Sequence, residues 1–275
     1  MQLSKIFKNN KNIVIGAIHF PPLLGYKDFP GFDVALKNAL ADLKAFEKGG
    51  VDAVIFENNY DIPHKIFVDA HTVVSMTFLG EKLKNATKLP VGISVLWNDY
   101  KSALSIAKTL GLQFIRVPAF VDKALTSYGI AEGKPGEVIN FRKSIDADNV
   151  AIFTDIHVKH AKLLSKHSLT ASAKLAIKNR SDALILTGKW TGDAPDMNEL
   201  KTLRKSVGKF PILIGSGADD ENIKSLFRFA NGAIVSTSLK KGGEKRSEVN
   251  VKPYSRRIDQ SKVRNLIKNI YAKTT

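Results

Sequence analysis

Short apolar runs alternate with amphipathic stretches along almost the whole chain. Between the runs, apolar residues recur at helical spacing: Phe32, Leu36 and Leu40 share one face of a helix that Gly49 and Gly50 would end. Eight runs have the length and composition of buried strands, at 13–18, 51–56, 91–95, 114–117, 150–153, 183–186, 211–214 and 232–235. The pattern predicts eight strand–helix units.

The predicted strands are continuously apolar, which is typical of a parallel sheet covered by helices on its faces. Eight such units in 275 residues predict a single (β/α)₈ TIM barrel of the α/β class, spanning residues 1–275 as one domain. An open doubly wound sheet is the alternative. After the fourth strand we expect a longer loop that contains Gly129, Gly133, Pro135 and Gly136.

The chain has no cysteine, which excludes disulfides, thiolate metal sites and cysteine nucleophiles. No apolar run approaches the roughly 20 residues that cross a bilayer, and the first residues lack the apolar core of a signal peptide. We therefore expect a cytoplasmic protein. We also expect it to form a homo-oligomer.

The formal net charge is +16, and the basic C-terminal segment, Lys240 to Thr275, holds eleven Lys or Arg against three Asp or Glu. The simplest interpretation is a solvated surface. The segment would also allow peripheral association with an anionic membrane. No zinc-finger spacing or RNA-recognition signature accompanies the charge, which argues against nucleic acid as a partner.

Active sites of such barrels lie just beyond the C-terminal ends of the strands, and these positions hold polar residues here. Small and hydroxyl-bearing residues follow the seventh and eighth strands, where barrels commonly hold phosphate through backbone amides. The predicted phosphate-binding residues are Gly215, Ser216, Gly217, Ser236, Thr237 and Ser238. A turn that needs glycine only for its geometry is the alternative.

Acid–base chemistry is predicted for Asp155 and His157, which lie two positions apart and would point the same way on an ideal strand, with Lys159 in the same register. Asp155 would orient His157, and Glu57 or His19 would be the opposing group. Two alternatives are a buried polar network and an oxygen–nitrogen metal site built from these four side chains. No cofactor is predicted, and a divalent metal stays open.

Further polar residues at the strand ends are predicted to bind substrate, and Arg116 and Lys159 would offset its anionic charge. The full set is Asn58, Asn98, Asp99, Arg116, Lys159, Thr187 and Gly188. Lys189 follows the sixth strand, where some barrels carry an imine-forming lysine. Its small polar neighbours predict an exposed or phosphate-contacting lysine instead.

Several of these segments, in this order, resemble the BtpA/SgcQ family over nearly the whole chain. The matching stretches include IGAIHFPPL at 15–23, DIHVKHA at 155–161, Gly215-Ser216-Gly217 and STSLK at 236–240. The chain departs from the family pattern at Trp97, where an arginine is expected, and at Pro118, where an asparagine is usual. Both departures lie at the predicted pocket mouth.

The resemblance implies a phosphate-binding barrel, similar to those of tryptophan and histidine biosynthesis. We expect an enzyme that acts on a small phosphorylated substrate, such as a sugar phosphate or ribosyl compound, by proton transfer, isomerisation or C–O/C–N cleavage. The alternative is a non-catalytic assembly or stability factor of the photosystem I biogenesis type, peripheral to a membrane or a protein complex.

Two specific activities of related barrels are not expected. Phosphoribosylanthranilate isomerase-type chemistry uses a cysteine base after the first strand, where this chain has His19. Indole-glycerol-phosphate synthase-type chemistry needs a lysine early in the barrel, where this chain has Glu57.

Overall fold

Eight parallel strands close into a barrel in a computed structural model that describes residues 3–242 and 254–272. The barrel strands are β1 (Ile13–His19), β2 (Ala53–Glu57), β3 (Val91–Ser94), β4 (Phe114–Val117), β7 (Ala151–Ile156), β9 (Ala183–Leu186), β10 (Ile212–Ile214) and β11 (Gly232–Val235). They follow one another around the barrel in chain order, and β11 pairs with β1. The predicted (β/α)₈ barrel is confirmed, and each predicted strand overlaps an observed one.

Helices cover the outside of the barrel, because one face of each is apolar and packs on the strands. They are α1 (Phe32–Gly49), α2 (Ala70–Asn85), α3 (Tyr100–Leu110), α4 (Pro135–Ser144), α5 (Leu169–Lys178), α6 (Met197–Val207), α7 (Ile223–Phe227) and α8 (Gln260–Tyr271). Among residues 3–242 and 254–272, none of the helices has both the length and the apolar character needed to cross a membrane.

A second apolar cluster fills the barrel interior below the mouth. Phe114 and Phe153 stack there with ring centroids 4.6 Å apart, and Phe7 from the N-terminal segment lies against both rings. Gly92 on β3 makes room for them, since a Cβ atom at that position would lie 2.2 Å from the Phe114 ring. Side chains therefore fill this part of the barrel interior.

The long loop predicted after the fourth strand contains regular structure. Strands β5 (Lys123–Thr126) and β6 (Gly129–Glu132) form an antiparallel hairpin, and β8 (Ala161–Leu163) pairs with the other edge of β5. Helix α4 then begins at Pro135, inside the segment expected to be loop. These strands have only three or four residues, so their pairing depends on tertiary partners and leaves little signal in the sequence.

Part of the basic C-terminal segment is built into the barrel. Ile258 pairs with Lys240 in an isolated β-bridge and donates its backbone N–H to Asp42 on α1 at 2.8 Å. Arg257 also binds Asp42 at 2.8 Å, and α8 packs against α1. The rest of the segment, 243–253 and 273–275, lies outside the described residues.

Candidate active site

A chain of ionisable side chains crosses the C-terminal mouth of the barrel. Arg116 on β4 donates from Nε and Nη2 to the two carboxylate oxygens of Asp155 on β7, both at 2.8 Å. Its Nη1 lies 3.4 Å from Oε1 of Glu57, the last residue of β2. Nε2 of His19, the last residue of β1, lies 3.7 Å from the other Glu57 oxygen. Four predicted site residues are thus brought together on four strands.

The electrostatics of this cluster give its members different protonation states. Burial opposes the charge of Arg116, but Asp155 and then Glu57 outweigh it and raise its pKa above the ordinary value. Burial lowers the pKa of His19 well below its ordinary value, and the positive charges of Lys240, Lys159 and Arg116 lower it further. A neutral imidazole therefore lies beside a permanently charged guanidinium at neutral pH.

Asp155 and His157 do not form the predicted pair. Strand β7 ends at Ile156, and His157 takes a left-handed backbone conformation with φ of 52°, so the strand register does not extend to it. Both oxygens of Asp155 bind Arg116 instead. The role of His157 in acid–base chemistry stays a prediction, but Asp155 is not the group that orients it.

His157 instead belongs to a polar cluster that the sequence did not reveal. Its Nε2 lies 3.4 Å from Oγ of Ser172 on α5, and that hydroxyl donates to Oδ1 of Asp122 at 2.9 Å. Nδ1 of His167 lies 3.0 Å from the same oxygen. The cluster borders a cavity of about 90 Å³ that Asp155 and Pro118 also line. Asp122 and Ser172 are 50 residues apart, and no local motif links them.

Two lysines, Lys159 and Lys240, are also part of the mouth. Lys159, in the loop after β7, is half-buried. Lys240, which follows the short 3₁₀ turn Thr237–Leu239, is only 4% exposed, and its Nζ lies 3.4 Å from the Tyr60 hydroxyl. Sequence analysis placed Lys240 in a solvated tail. Lys240 follows β11, the eighth strand of the barrel, by only a short turn, and this position in the sequence could have indicated that it belongs to the mouth.

Three residues predicted to bind substrate hold loops together. Asn58 bonds both the N–H and the C=O of Leu96, and Asn98 does the same with Ala119. Asp99 caps the start of α3 through the backbone N–H and the hydroxyl of Ser102. All three are buried, and their substrate-binding role stays a prediction.

The predicted phosphate-binding residues lie in the turns after β10 and β11, which together we call the cup. Some hydroxyls in and beside the cup are hydrogen-bonded within the protein, and others are not. The Ser216 hydroxyl accepts from the Gly188 backbone N–H at 2.9 Å and donates to the Asp193 carbonyl at 2.8 Å. The Ser238 hydroxyl donates to the Ala218 carbonyl. By contrast, the buried hydroxyls of Ser236 and Thr187 have no hydrogen-bond partner among the described residues. An unpartnered buried hydroxyl is available to ordered water or to a ligand.

The backbone of the cup is tightly constrained. Gly217 has φ of +67°, and a Cβ atom at this position would lie 2.0 Å from the Ala194 backbone nitrogen. Gly215 faces the barrel interior, where a Cβ atom would lie 3.4 Å from Nη2 of Arg116. The turn after β10 therefore places the cup next to Arg116, a member of the ionisable cluster.

The four residues of the metal alternative, His19, Glu57, Asp155 and His157, do not gather around one point. Within residues 3–242 and 254–272, no group of three or more His, Cys, Asp or Glu side chains is arranged to hold a metal ion. Arg116 lies between the two carboxylates, where a metal would need to be.

The fold and the mouth define a (β/α)₈ barrel with a charged C-terminal site beside a glycine- and hydroxyl-rich turn. The profile of the BtpA family matches residues 10–271, and the chain belongs to this family. It is 38% identical over 246 residues to the photosystem I biogenesis protein BtpA of Synechocystis, which covers 88% of this chain and 85% of that protein.

Solved structures with low sequence identity share the barrel. Phosphoribosyl anthranilate isomerase from Thermus thermophilus superposes with a TM-score of 0.56 at 12% identity, covering 94% of this chain and 98% of the isomerase. GGGPS from Thermoplasma volcanium has a TM-score of 0.56 at 11% identity, covering 98% and 96%. At such identities the likeness shows the fold alone.

Proposed function

We propose that this chain is an enzyme that performs acid–base chemistry on a small phosphorylated substrate, such as a sugar phosphate or a ribosyl compound. The buried cluster of His19, Glu57, Arg116 and Asp155 carries the proposal. Removing ions from water costs several kcal/mol each, and apolar residues of similar volume often serve stability as well or better. Buried ionisable groups at a barrel mouth therefore favour a reaction site.

Each part of the mouth has a role in this proposal. Neutral His19 and Glu57 would exchange protons with the substrate; Nε2 of His19 and Oε2 of Glu57 lie 3.7 Å apart. Arg116 and Lys159 would offset the charge of an anionic substrate or intermediate. His157 would be a second acid–base group, reaching the substrate from the cavity side of the mouth.

The phosphate would bind the turns after β10 and β11, through Gly215–Gly217 and Ser236–Ser238. The unpartnered hydroxyl of Ser236 and the constrained backbone at Gly217 support this position. A structural relative whose name specifies a phosphoribosyl substrate has the same fold, and the substrate class is proposed here by analogy of fold alone.

Thermal unfolding in the presence of candidate ligands tests the proposal. The ligands are inorganic phosphate, ribose 5-phosphate, other sugar phosphates and nucleotides, each with and without Mg²⁺. A ligand at 100 times its dissociation constant should stabilise the fold by about 2.7 kcal/mol. If no phosphorylated compound raises the melting temperature, the proposal fails.

Thr237→Asp then locates the binding site, because a carboxylate in the cup would repel phosphate. Thr237 is half-buried, and no other described residue bonds its hydroxyl, so the change should leave the fold intact. Thr202→Asp, on the exposed face of α6, adds the same charge elsewhere. The stabilisation should disappear in the first variant and persist in the second.

A second function is favoured by the 38% identical relative named as a photosystem I biogenesis protein. In that case the chain would be an assembly factor that contacts a membrane or a complex through its basic segment. Complementation of a deletion strain separates the two functions. An enzyme should fail with His157→Ala and survive Lys245→Glu/Arg246→Glu, and an assembly factor should show the reverse.

A further inference from the structure

Lys159 differs from Arg116 because, among the described residues, it has no carboxylate within ion-pair distance, whereas Arg116 binds two. Both oxygens of Asp155 bind Arg116, and Glu57 lies between Arg116 and His19. Within the described part of the chain, no carboxylate lies within 4.0 Å of the Lys159 ammonium, and no hydrogen bond holds it. Asp155 and Glu57 are thus already engaged by a stronger and permanently charged partner, and Asp193, the third acid that acts on Lys159, forms no ion pair with it.

The position of Lys159 nevertheless allows a ligand to reach it. The residue lies three positions beyond the end of β7, in the loop that leads to β8. The residue is half-buried, so protein surrounds part of it while solvent still reaches it. Its positive charge contributes to lowering the pKa of His19, and Glu57 and Asp155 act on Lys159 in turn, so the side chain lies within electrostatic reach of the cluster.

This environment makes the neutral amine easier to form than in an ordinary lysine. Burial lowers the pKa of Lys159 to about 8, and Arg116 contributes in the same direction, against Glu57, Asp155 and Asp193. At pH 7 roughly a tenth of the protein molecules would then have a neutral Lys159 amine. This fraction is about two-hundredfold larger than for an ordinary lysine with a pKa near 10.4. Neutral lysine amines are the nucleophiles that form imines with carbonyl compounds.

We propose that Lys159 is a carbonyl-reactive amine, and that the substrate is an aldehyde or ketone that also carries a phosphate. The inference rests on the proposed function, and it specifies the reacting group of the substrate. Lys159 would bond the carbonyl carbon covalently while the cup holds the phosphate.

The chemistry balances with groups of this chain and one molecule of substrate. The Lys159 lone pair forms a C–N bond as the C=O π electrons move to oxygen, which takes a proton. The nitrogen then loses a proton to a base, the hydroxyl is protonated and leaves as water, and a C=N bond forms. The protonated imine accepts the electron pair when a neighbouring C–H bond loses its proton. Glu57 and neutral His19, whose side chains lie 3.7 Å apart in the same mouth, would serve as the bases and acids.

Lys189 is an internal control, because it lies in the loop after β9 and is exposed to solvent. The native protein at pH 7 is treated with limiting formaldehyde and cyanoborohydride, which reduces imines to stable methylamines. Peptide mass spectrometry then gives the methylation rate of each lysine. We expect Lys159 to react at least tenfold faster than Lys189, and faster than the surface lysines as a group. Equal or slower reaction of Lys159 overturns the proposal.

A second probe links the amine to the cup. Glyceraldehyde 3-phosphate and unphosphorylated glyceraldehyde are compared under the same reducing conditions. We expect the phosphorylated aldehyde to label Lys159 selectively, and Thr237→Asp to remove that preference. Lys159→Met should abolish the adduct, whereas Lys189→Met should leave it unchanged. Stabilisation by phosphate compounds without preferential reaction of Lys159 would overturn this inference alone, whereas a reactive Lys159 without phosphate stabilisation would overturn the cup.

Discussion

Arg116 and Asp155 form a bidentate ion pair across two adjacent barrel strands, with both N···O distances at 2.8 Å. The Asp155 side chain is fully buried and that of Arg116 is 8% exposed. Arg116 also contacts Glu57, so one guanidinium compensates two buried carboxylates. Because the pair occupies both oxygens of Asp155, this carboxylate is not left as a close partner for another cation of the mouth.

Removing Arg116 should therefore destabilise the protein strongly. Arg116→Met leaves Asp155 and Glu57 buried without compensation, and we expect a loss of about 3–5 kcal/mol in the free energy of unfolding, measured by denaturant titration. The double variant Arg116→Met/Asp155→Leu removes one of the uncompensated charges and should recover part of the loss. A single-variant loss below about 1 kcal/mol would contradict the compensating role.

Replacing Gly217 should damage the turn after β10. Gly217→Ala imposes a side chain at φ of +67° and brings a Cβ atom 2.0 Å from the Ala194 nitrogen. We expect a loss of about 2 kcal/mol or more in unfolding free energy, since both the strain and the clash must be relieved. Gly136→Ala is the matched control, because nothing lies within 4 Å of its added Cβ and the position is in the first turn of α4. That variant should be neutral or stabilised by up to about 1 kcal/mol.

His64 should make the fold sensitive to acid. Burial lowers the pKa of His64 to about 4, below the ordinary value of 6.5. As the pH falls from about 6.5 to about 4, the unfolded chain binds a proton that the folded protein resists, so stability decreases. The difference corresponds to about 3 kcal/mol at the acid end of this window. Denaturant titrations of wild type and His64→Gln at pH 7.5 and pH 4.5 test this. The wild type should lose stability relative to the variant at the lower pH, and an unchanged difference would contradict the assignment.

Ser172 should fix the tautomer of His157. The single hydroxyl proton of Ser172 is donated to Asp122, so its oxygen can only accept from His157, which places a proton on Nε2 and leaves Nδ1 as the basic nitrogen. Nitrogen chemical shifts of the His157 ring should show the Nε2–H form in wild type at neutral pH and a mixture of tautomers in Ser172→Ala. Ser225→Ala, at an exposed helical serine, is the control and should leave the ring signals unchanged. A wild-type ring with the proton on Nδ1 would show that Ser172 does not position it.

The barrel was predictable from sequence because its signal is local and repeated. Each strand is a short apolar run, and each helix has an apolar face, so eight units can be counted without knowing any contact. The hairpin of β5 and β6 was missed for the opposite reason, since strands of four residues depend on β8, which lies about 30 residues further along.

Within the site, the sequence determined which residue types stand at the strand ends, because the C-terminal ends of parallel strands converge on one mouth. His19, Glu57, Arg116 and Asp155 could be named on that basis. Only the tertiary structure decided their partners: Arg116 and Asp155 are 39 residues apart, and their contact follows from barrel closure and strand register. Packing in three dimensions also buries Lys240 and leaves Lys159 with no carboxylate within ion-pair distance among the described residues, because pairing between distant side chains is not set by spacing along the chain.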